Sequence, residues 1–145
     1  MTKKTWTITY CVDIPSLEVE AESFIKAVEK VKDNLSCANL KGVSLNYADL
    51  SGANLHEADL EGAKLNATYL NGADLHEANL NGASLRGADL EGADLRDAFL
   101  VRASLKGARL NNAHLRGANL RGANLDGTDL SRVDLSGAKG MPGLD

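Results

Sequence analysis

The sequence predicts an all-β solenoid, a chain wound into stacked coils around a narrow apolar interior. Two observations carry that prediction, and a third rules out the simpler classes. Leucine stands at every fifth position from Leu35 to Leu135 without a gap. A small residue recurs in the same register from Ala38 to Ala138, and it is alanine except at Val43, Thr68, Thr128 and Val133. A strict period of five suits neither an α-helix, whose faces repeat every 3.6 residues, nor a strand, which alternates every two. The chain must therefore alternate for three residues (small, polar, leucine) and turn through the next two.

Ahead of the repeat, residues 5–14 (TWTITYCVDI) are rich in β-branched and aromatic side chains and predict one β-strand. Ser16, just after Pro15, is placed to cap a helix. Leu17, Val19 and Ala21 lead into an apolar stripe of Phe24, Ile25, Val28 and Val31 at helical spacing. Glu18, Glu20 and Glu22 at the start, with Lys26, Lys30 and Lys32 at the end, suit the helix macrodipole. One strand and one helix cannot bury two apolar faces alone, so both are expected to pack as a cap on the first coil. The organisation expected is thus 1–34 as strand plus capping helix, 35–139 as the repeat, and 140–145 as a short tail.

Within the repeat the position before each leucine is usually Asn, Asp or Ser, and the second position after it is often glycine. Glycines such as Gly52, Gly62 and Gly92 permit the positive φ of a type II turn. Corners at Tyr47, Glu57, Ala67, Glu77, Asp97, Arg102, Asn112 and Arg132 are expected to adopt another turn type, because positive φ is costly for side chains with a Cβ. Leu80 and Leu100 belong to the interior, and Glu61 and Asn81 to the outer wall.

Composition narrows the function classes. The formal net charge of −4 argues against nonspecific binding to a nucleic-acid backbone. No apolar stretch approaches the roughly 18 residues of a membrane-spanning helix. The opening MTKKTWTITYCVDIP lacks the apolar core of a secretory signal, and a cytoplasmic location is expected. Cys11 and Cys37 fit no metal-ligand spacing and read as free thiols in a reducing compartment.

The units ADLSG at 48–52, ANLHE at 53–57, ADLEG at 58–62, ADLHE at 73–77, ADLRD at 93–97 and ANLRG at 118–122 closely resemble the pentapeptide-repeat family, with its A(D/N)LXX signature. The resemblance extends over about three quarters of the chain. It implies a right-handed quadrilateral parallel β-helix, supplying the handedness and the four-sided count that a period of five does not. Many cyanobacterial members have no assigned activity, while some members bind DNA gyrase by resembling DNA. With four sides per coil, residues 35–139 make about five coils, a rod about 25 Å long at the rise of stacked strands.

Residues twenty apart then form vertical columns. Ser36, His56, His76, Arg96 and Arg116 run beside Cys37, Glu57, Glu77 and Asp97. Imidazoles next to carboxylates can ligate a transition metal, but the spacing matches no zinc motif and a convex wall offers no supporting shell. A solvated ladder of opposite charges is the simpler reading, and neither metal nor cofactor is expected. Between Leu35 and Ala98 there are ten Asp/Glu against four Lys/Arg; between Phe99 and Lys139 there are three against seven. Such polarity can steer a partner. It also argues against a DNA mimic, whose negative face Arg102, Lys106, Arg109, Arg116 and Arg121 would interrupt.

Phe99 takes an outward position normally held by Asp or Asn, with Val101 outward on the same side and Arg121 above it; Tyr69 is outward on another face. Phe99, Val101 and Arg121 form the candidate interaction surface. No nucleophile–base set or phosphate loop rises above the repeat, so no catalytic residue is assigned. The expected function is a noncatalytic, rigid scaffold for an unidentified protein partner, acting as a monomer or weak dimer without membrane or nucleic acid. A purely structural solenoid is the alternative, and a gyrase-directed DNA mimic a more remote one.

Overall fold

A computed structural model describes residues 2–11 and 15–141. Its repeat is a ladder of parallel bridges linking residues twenty apart, from Asn39↔Asp59 to Asn119↔Lys139. Each five-residue unit contributes one turn, so four turns complete a coil. The backbone bonds run both ways along the stack: Leu60 N–H donates to Asn79 O at 2.8 Å, and Asn79 N–H donates to Ala58 O at 2.9 Å. Polar backbone inside the wall is thereby satisfied without a helix or a long strand.

The core is made of the leucine and small-residue positions on every side of the coil. Leu40, Leu60, Leu80, Leu100 and Leu120 are buried, as are Ala58, Ala78, Ala98 and Ala118. Burying one leucine contributes about 1.5–3 kcal/mol, and the repeat does this at every side of the middle coils. Thr68 is a polar exception among the alanines of the inner wall. It is fully buried, and its Oγ1 donates to Leu45 O at 2.7 Å, which meets the cost of placing a hydroxyl there.

The corners depart from expectation. Tyr47, Glu57, Ala67, Glu77, Asp97, Arg102 and Asn112 all hold φ between 51° and 62°, nearly the values of neighbouring glycines such as Gly62 at 66°. They make the same turn, not another type. Each corner must deliver the chain in register to the next ladder, so tertiary pairing overrides the local preference. At Ala67 the adjoining turn closes by Thr68 N–H to Leu65 O, while Ala67 N–H itself donates to Arg86 O in the next coil. Arg132 is not among the positive-φ residues. It lies where the ladder loosens: Leu90 N–H donates to Arg109 O at 2.8 Å, but Leu110 N–H has no corresponding bond to Asp129 among the described residues. Leu125, Leu130 and Leu135 are only partly buried.

The N-terminal segment also needs correction. The predicted strand over 5–14 is a shorter one, β1 (Lys4–Ile8), with Tyr10 forming a separate antiparallel bridge to Ala38; Val12, Asp13 and Ile14 lie outside the described residues. Ser16 caps no helix. Leu17–Ala21 is a second strand, β2, paired antiparallel with β1. Its Leu–Glu–Val–Glu–Ala run alternates with period two, putting Val19 and Ala21 inside and Glu18 and Glu20 outside. That local alternation outcompetes the helical stripe extrapolated backward from Phe24. The helix is α1 (Phe24–Lys30), capped by Ser23, whose side chain accepts from Lys26 N–H. No acidic residue occupies its first turn, so the glutamate half of the macrodipole argument fails, while Lys30 does fall in its last turn.

Ile8, Val19, Ala21, Ala27 and Val28 join the core of the repeat, and Trp6 meets Phe24 edge-on at 5.7 Å. The first coil also finds hydrogen-bond acceptors here. Asn39 N–H donates to Thr9 O at 2.7 Å and Asn54 N–H to Lys32 O at 2.9 Å. Asp49 N–H donates to Glu29 Oε1 at 2.9 Å. In later coils equivalent N–H groups donate to the carbonyl of the small residue in the coil before, as Asp59 N–H does to Ala38 O and Lys64 N–H to Val43 O. Gly140 has φ of 82°; the rest of the predicted tail, from Pro142, lies outside the described residues.

Candidate functional site

The Asn/Asp position explains what is unusual about Phe99. In the standard unit the side-chain oxygen of Asn or Asp accepts the N–H two residues on, as in Glu61 N–H to Asp59 Oδ1 at 3.1 Å and Arg121 N–H to Asn119 Oδ1 at 3.3 Å. That N–H sits at the exposed corner and has no place in the ladder, so a short polar side chain is favoured beside it. Phe99 cannot accept. The Val101 N–H it would have served turns instead to Asn81 Oδ1, one coil earlier, at 2.9 Å. The same substitution occurs where Lys64 and Ser84 replace Asn or Asp. Asn66 N–H donates to Asn46 Oδ1 at 2.8 Å, and Arg86 N–H donates to Asn66 Oδ1 at 3.2 Å.

Phe99 is 47% exposed, in a column with Asn79 and Asn119 as its ladder neighbours. Val101 is half-buried and Arg121 exposed. A shallow groove of about 410 Å³ lies beside Val101, lined also by Glu61, Asn81, Gly82 and Arg102. The groove residues Glu61, Asn81 and Arg102 escape a reading restricted to unusual side chains; the signal that finds them is position twenty or forty residues from Val101, or next to it. The surface combines an apolar ring, an apolar-edged groove and cations at Arg102 and Arg121. Glu61 is partly committed to Lys41 at 2.6 Å. Chemically, this suits a protein segment with an apolar anchor and a nearby acidic group. Tyr69 is 54% exposed on another face, as expected, and the corner residue Tyr47 is more exposed still.

The histidine column forms a polar ladder. The rings of His56 and His76 stack at 5.3 Å, each Nε2 facing its neighbouring glutamate, at 3.4 Å for Glu57 and 3.2 Å for Glu77. His76 Nδ1 lies 2.8 Å from Arg96 O. Each imidazole is thus engaged by a different carboxylate, and no cluster among the described residues has the form of a metal site. Along the rod, acidic and basic residues are interleaved more than the linear charge count suggests. Arg109 bridges Asp89 at 2.9 Å and Glu91 at 2.6 Å. Arg96 is bonded to Asp94 and, foremost among several causes, holds that carboxyl below the ordinary aspartate value. No helix among the described residues is long and apolar enough to cross a membrane.

Comparison with known proteins gives a consistent family relationship. The family model described as pentapeptide repeats matches in eight copies over residues 34–72, 59–97 and 98–137. Among solved structures, the pentapeptide repeat protein Rfr23 from the cyanobacterium Cyanothece 51142 is 42% identical, with a TM-score of 0.60, covering 64% of this chain and 62% of that one. HetL, a pentapeptide repeat protein involved in heterocyst differentiation regulation in the cyanobacterium Nostoc sp. strain PCC 7120, is 34% identical; coverage is 74% of this chain and 59% of that one, with a TM-score of 0.38. The chain therefore spans about three fifths of the length of these two proteins. QnrB1, a plasmid-mediated fluoroquinolone resistance protein, is 16% identical over 67% of this chain and 63% of that one, with a TM-score of 0.29, too distant to bear on function. No curated protein matches the chain. Members of the repeat family are generally noncatalytic proteins of structure and interaction. With the five-residue register, the twenty-residue ladder and the family match in agreement, the chain belongs to the pentapeptide-repeat family.

Proposed function

We propose that this protein is a noncatalytic scaffold that presents Phe99, Val101 and Arg121 to a protein partner. The observation that carries the reading is Phe99 itself. It leaves an aromatic ring about half exposed where the repeat ordinarily places a turn-stabilising Asn or Asp, and the structure around it relies on Asn81 for the missing acceptor. A rigid wall lowers the ordering cost of binding, because its side chains start from fixed positions. The scaffold is a right-handed rod of about five coils, with the N-terminal hairpin and helix as the cap of its first coil. It works as a monomer in the cytoplasm, without cofactor, metal, membrane or nucleic acid.

The decisive experiment is affinity capture from the native cell with the wild-type chain and with Phe99→Asp. Aspartate restores the repeat's own acceptor for Val101 N–H, so the variant should fold at least as stably as the wild type. The expected result is loss of one reproducible partner, followed by at least about a tenfold weaker Kd with the purified pair, a typical effect for a hot-spot residue. Equal affinity of both forms for every captured partner would overturn the reading.

A further inference from the structure

Cys11 and Cys37 are brought together where the N-terminal segment joins the first coil. Tyr10 and Ala38 form an antiparallel bridge. On one side of it Cys11 N–H donates to Cys37 O at 2.9 Å, and on the other Asn39 N–H donates to Thr9 O at 2.7 Å. This register places the two cysteines directly opposite each other. The Cys11 N–H to Cys37 O bond sets their Cα atoms at about the 5.5 Å of a hydrogen-bonded antiparallel pair, within the span of a disulfide, with Cys37 at the positive φ of 57° of a corner residue. Cys11 is also the neighbour that acts most strongly on the Cys37 thiol. Both are free thiols; Cys11 is exposed and Cys37 is half-buried.

We propose that Cys11 and Cys37 form a thiol–disulfide exchange site for low-molecular-weight disulfides such as oxidised glutathione, whose product is an intramolecular bond stapling the N-terminal segment to the first coil.

The two sulfurs have different roles. Contact with the Cys11 thiol, then burial, then the Glu57 carboxylate push the Cys37 thiol up to about 11. Its Sγ donates to Glu57 Oε2 at 3.4 Å. Cys37 is therefore held as the protonated, resting sulfur, and exposed Cys11 makes the first attack. Cys11 loses its proton, its sulfur bonds to one sulfur of the small disulfide, and one small thiol leaves. The new mixed disulfide no longer offers Cys37 a thiol, which removes the largest cause of its protonation. Cys37 then releases its proton to solvent and attacks the Cys11 sulfur, expelling the second small thiol. Two protein thiols have given up two electrons and two protons, and one small disulfide has become two thiols.

The bond closes a loop that contains β2 and α1. It holds the segment whose Thr9, Glu29 and Lys32 groups accept from the first coil's N–H groups. Oxidation should thus lock the cover of that coil, and reduction should release it to its hydrogen bonds and apolar contacts alone.

The test equilibrates the full chain with mixtures of reduced and oxidised glutathione, then maps peptides by mass spectrometry without reduction. A Cys11–Cys37 crosslink, lighter by two hydrogens and reversed by excess thiol, is the expected product. Cys37→Ser should stop at glutathione on Cys11, and neither Cys37→Ser nor Cys11→Ser should give the intramolecular crosslink. Hydrogen exchange at Asn39 N–H should slow at least about tenfold on oxidation of the wild type. Finding only separate mixed disulfides or interchain bonds in the wild type would overturn the site. A crosslink that leaves Asn39 exchange unchanged would overturn the staple.

Discussion

At the scale of single residues, side chains at the corners accept a strained backbone so that the coil can close. A left-handed conformation costs a residue with a Cβ roughly 1–2 kcal/mol, offset in part by the greater freedom that glycine loses on folding. Ala67 at φ of 51° makes the cleaner test, since replacing its methyl group removes little else. Ala67→Gly should raise stability by about 0.5 kcal/mol, and Gly62→Ala should lower it by about 1 kcal/mol. A Cβ at Gly62 would meet nothing within 4 Å, so its cost would come from backbone strain and not from a clash. Denaturant melts of the two variants measure the difference; the same sign for both would contradict the account. Asn81 shows how outward residues differ in weight. By position it is as dispensable as any wall residue, yet it accepts the Val101 N–H that Phe99 cannot serve. Asn81→Ala should cost about 1 kcal/mol in the wild type and much less beside Phe99→Asn, a non-additivity that a double-mutant cycle detects.

At the scale of elements, the N-terminal segment supplies Thr9 O, Lys32 O and Glu29 Oε1 as acceptors for N–H groups of the first coil. Removing residues 1–33 would expose the first coil's edge and the apolar surface now covered by Val28 and Ile8. The truncated chain is expected to be less soluble and to melt lower, and sedimentation with thermal unfolding would register both. The junction also has a pH signature. Burial pushes the Glu29 carboxyl up, but hydrogen bonds from Lys26 and from Asp49 N–H outweigh it, leaving it below the ordinary glutamate value. Because the folded value is the lower one, this contribution to stability is present above the unfolded value near pH 4.3–4.5 and is lost as pH falls through the folded value. Stability should hold from pH 7 to about 5 and decline below that. Exposed aspartates with lowered values share in the decline, so the comparison with Glu29→Gln isolates this one: the variant should lose less on acidification. Identical pH profiles would show that the contact contributes nothing.

For the whole molecule, the stack is strongest in the middle and loosest at its C-terminal coil. Leu100, with Leu80 and Leu120 in the same buried column, should cost about 2–5 kcal/mol when truncated to alanine. Ala98→Leu should also destabilise, by about 1–3 kcal/mol, since the alanine column has no room for the added atoms. Hydrogen exchange offers a map of the gradient. Leu90 N–H is paired across the ladder and Leu110 N–H is not, so Leu110 should exchange faster than Leu90 by orders of magnitude. Equal protection at both would mean that the last coil is as firmly closed as the others.

Much of this was written in the repeat. Leucine and alanine in a register of five determine which side chains face inward, because a turning wall has only one apolar side, and the Asn/Asp position reports the need for a short acceptor beside each corner. Phe99 was legible as an outward residue for the same reason: it interrupts a column that is otherwise polar. The groove beside Val101 was less legible, since Glu61, Asn81 and Arg102 are ordinary in the linear chain and meet only when residues twenty apart are stacked. The non-glycine corners adopt their left-handed turns because ladder registration, a long-range constraint, outweighs a local penalty of a kilocalorie or two. Leu17–Ala21 became a strand because its alternation finds a partner in Lys4–Ile8, and a pairing partner is a tertiary fact. Cys11 and Cys37 likewise carry no shared motif; twenty-six positions apart in the chain, they face each other only because Tyr10 pairs with Ala38.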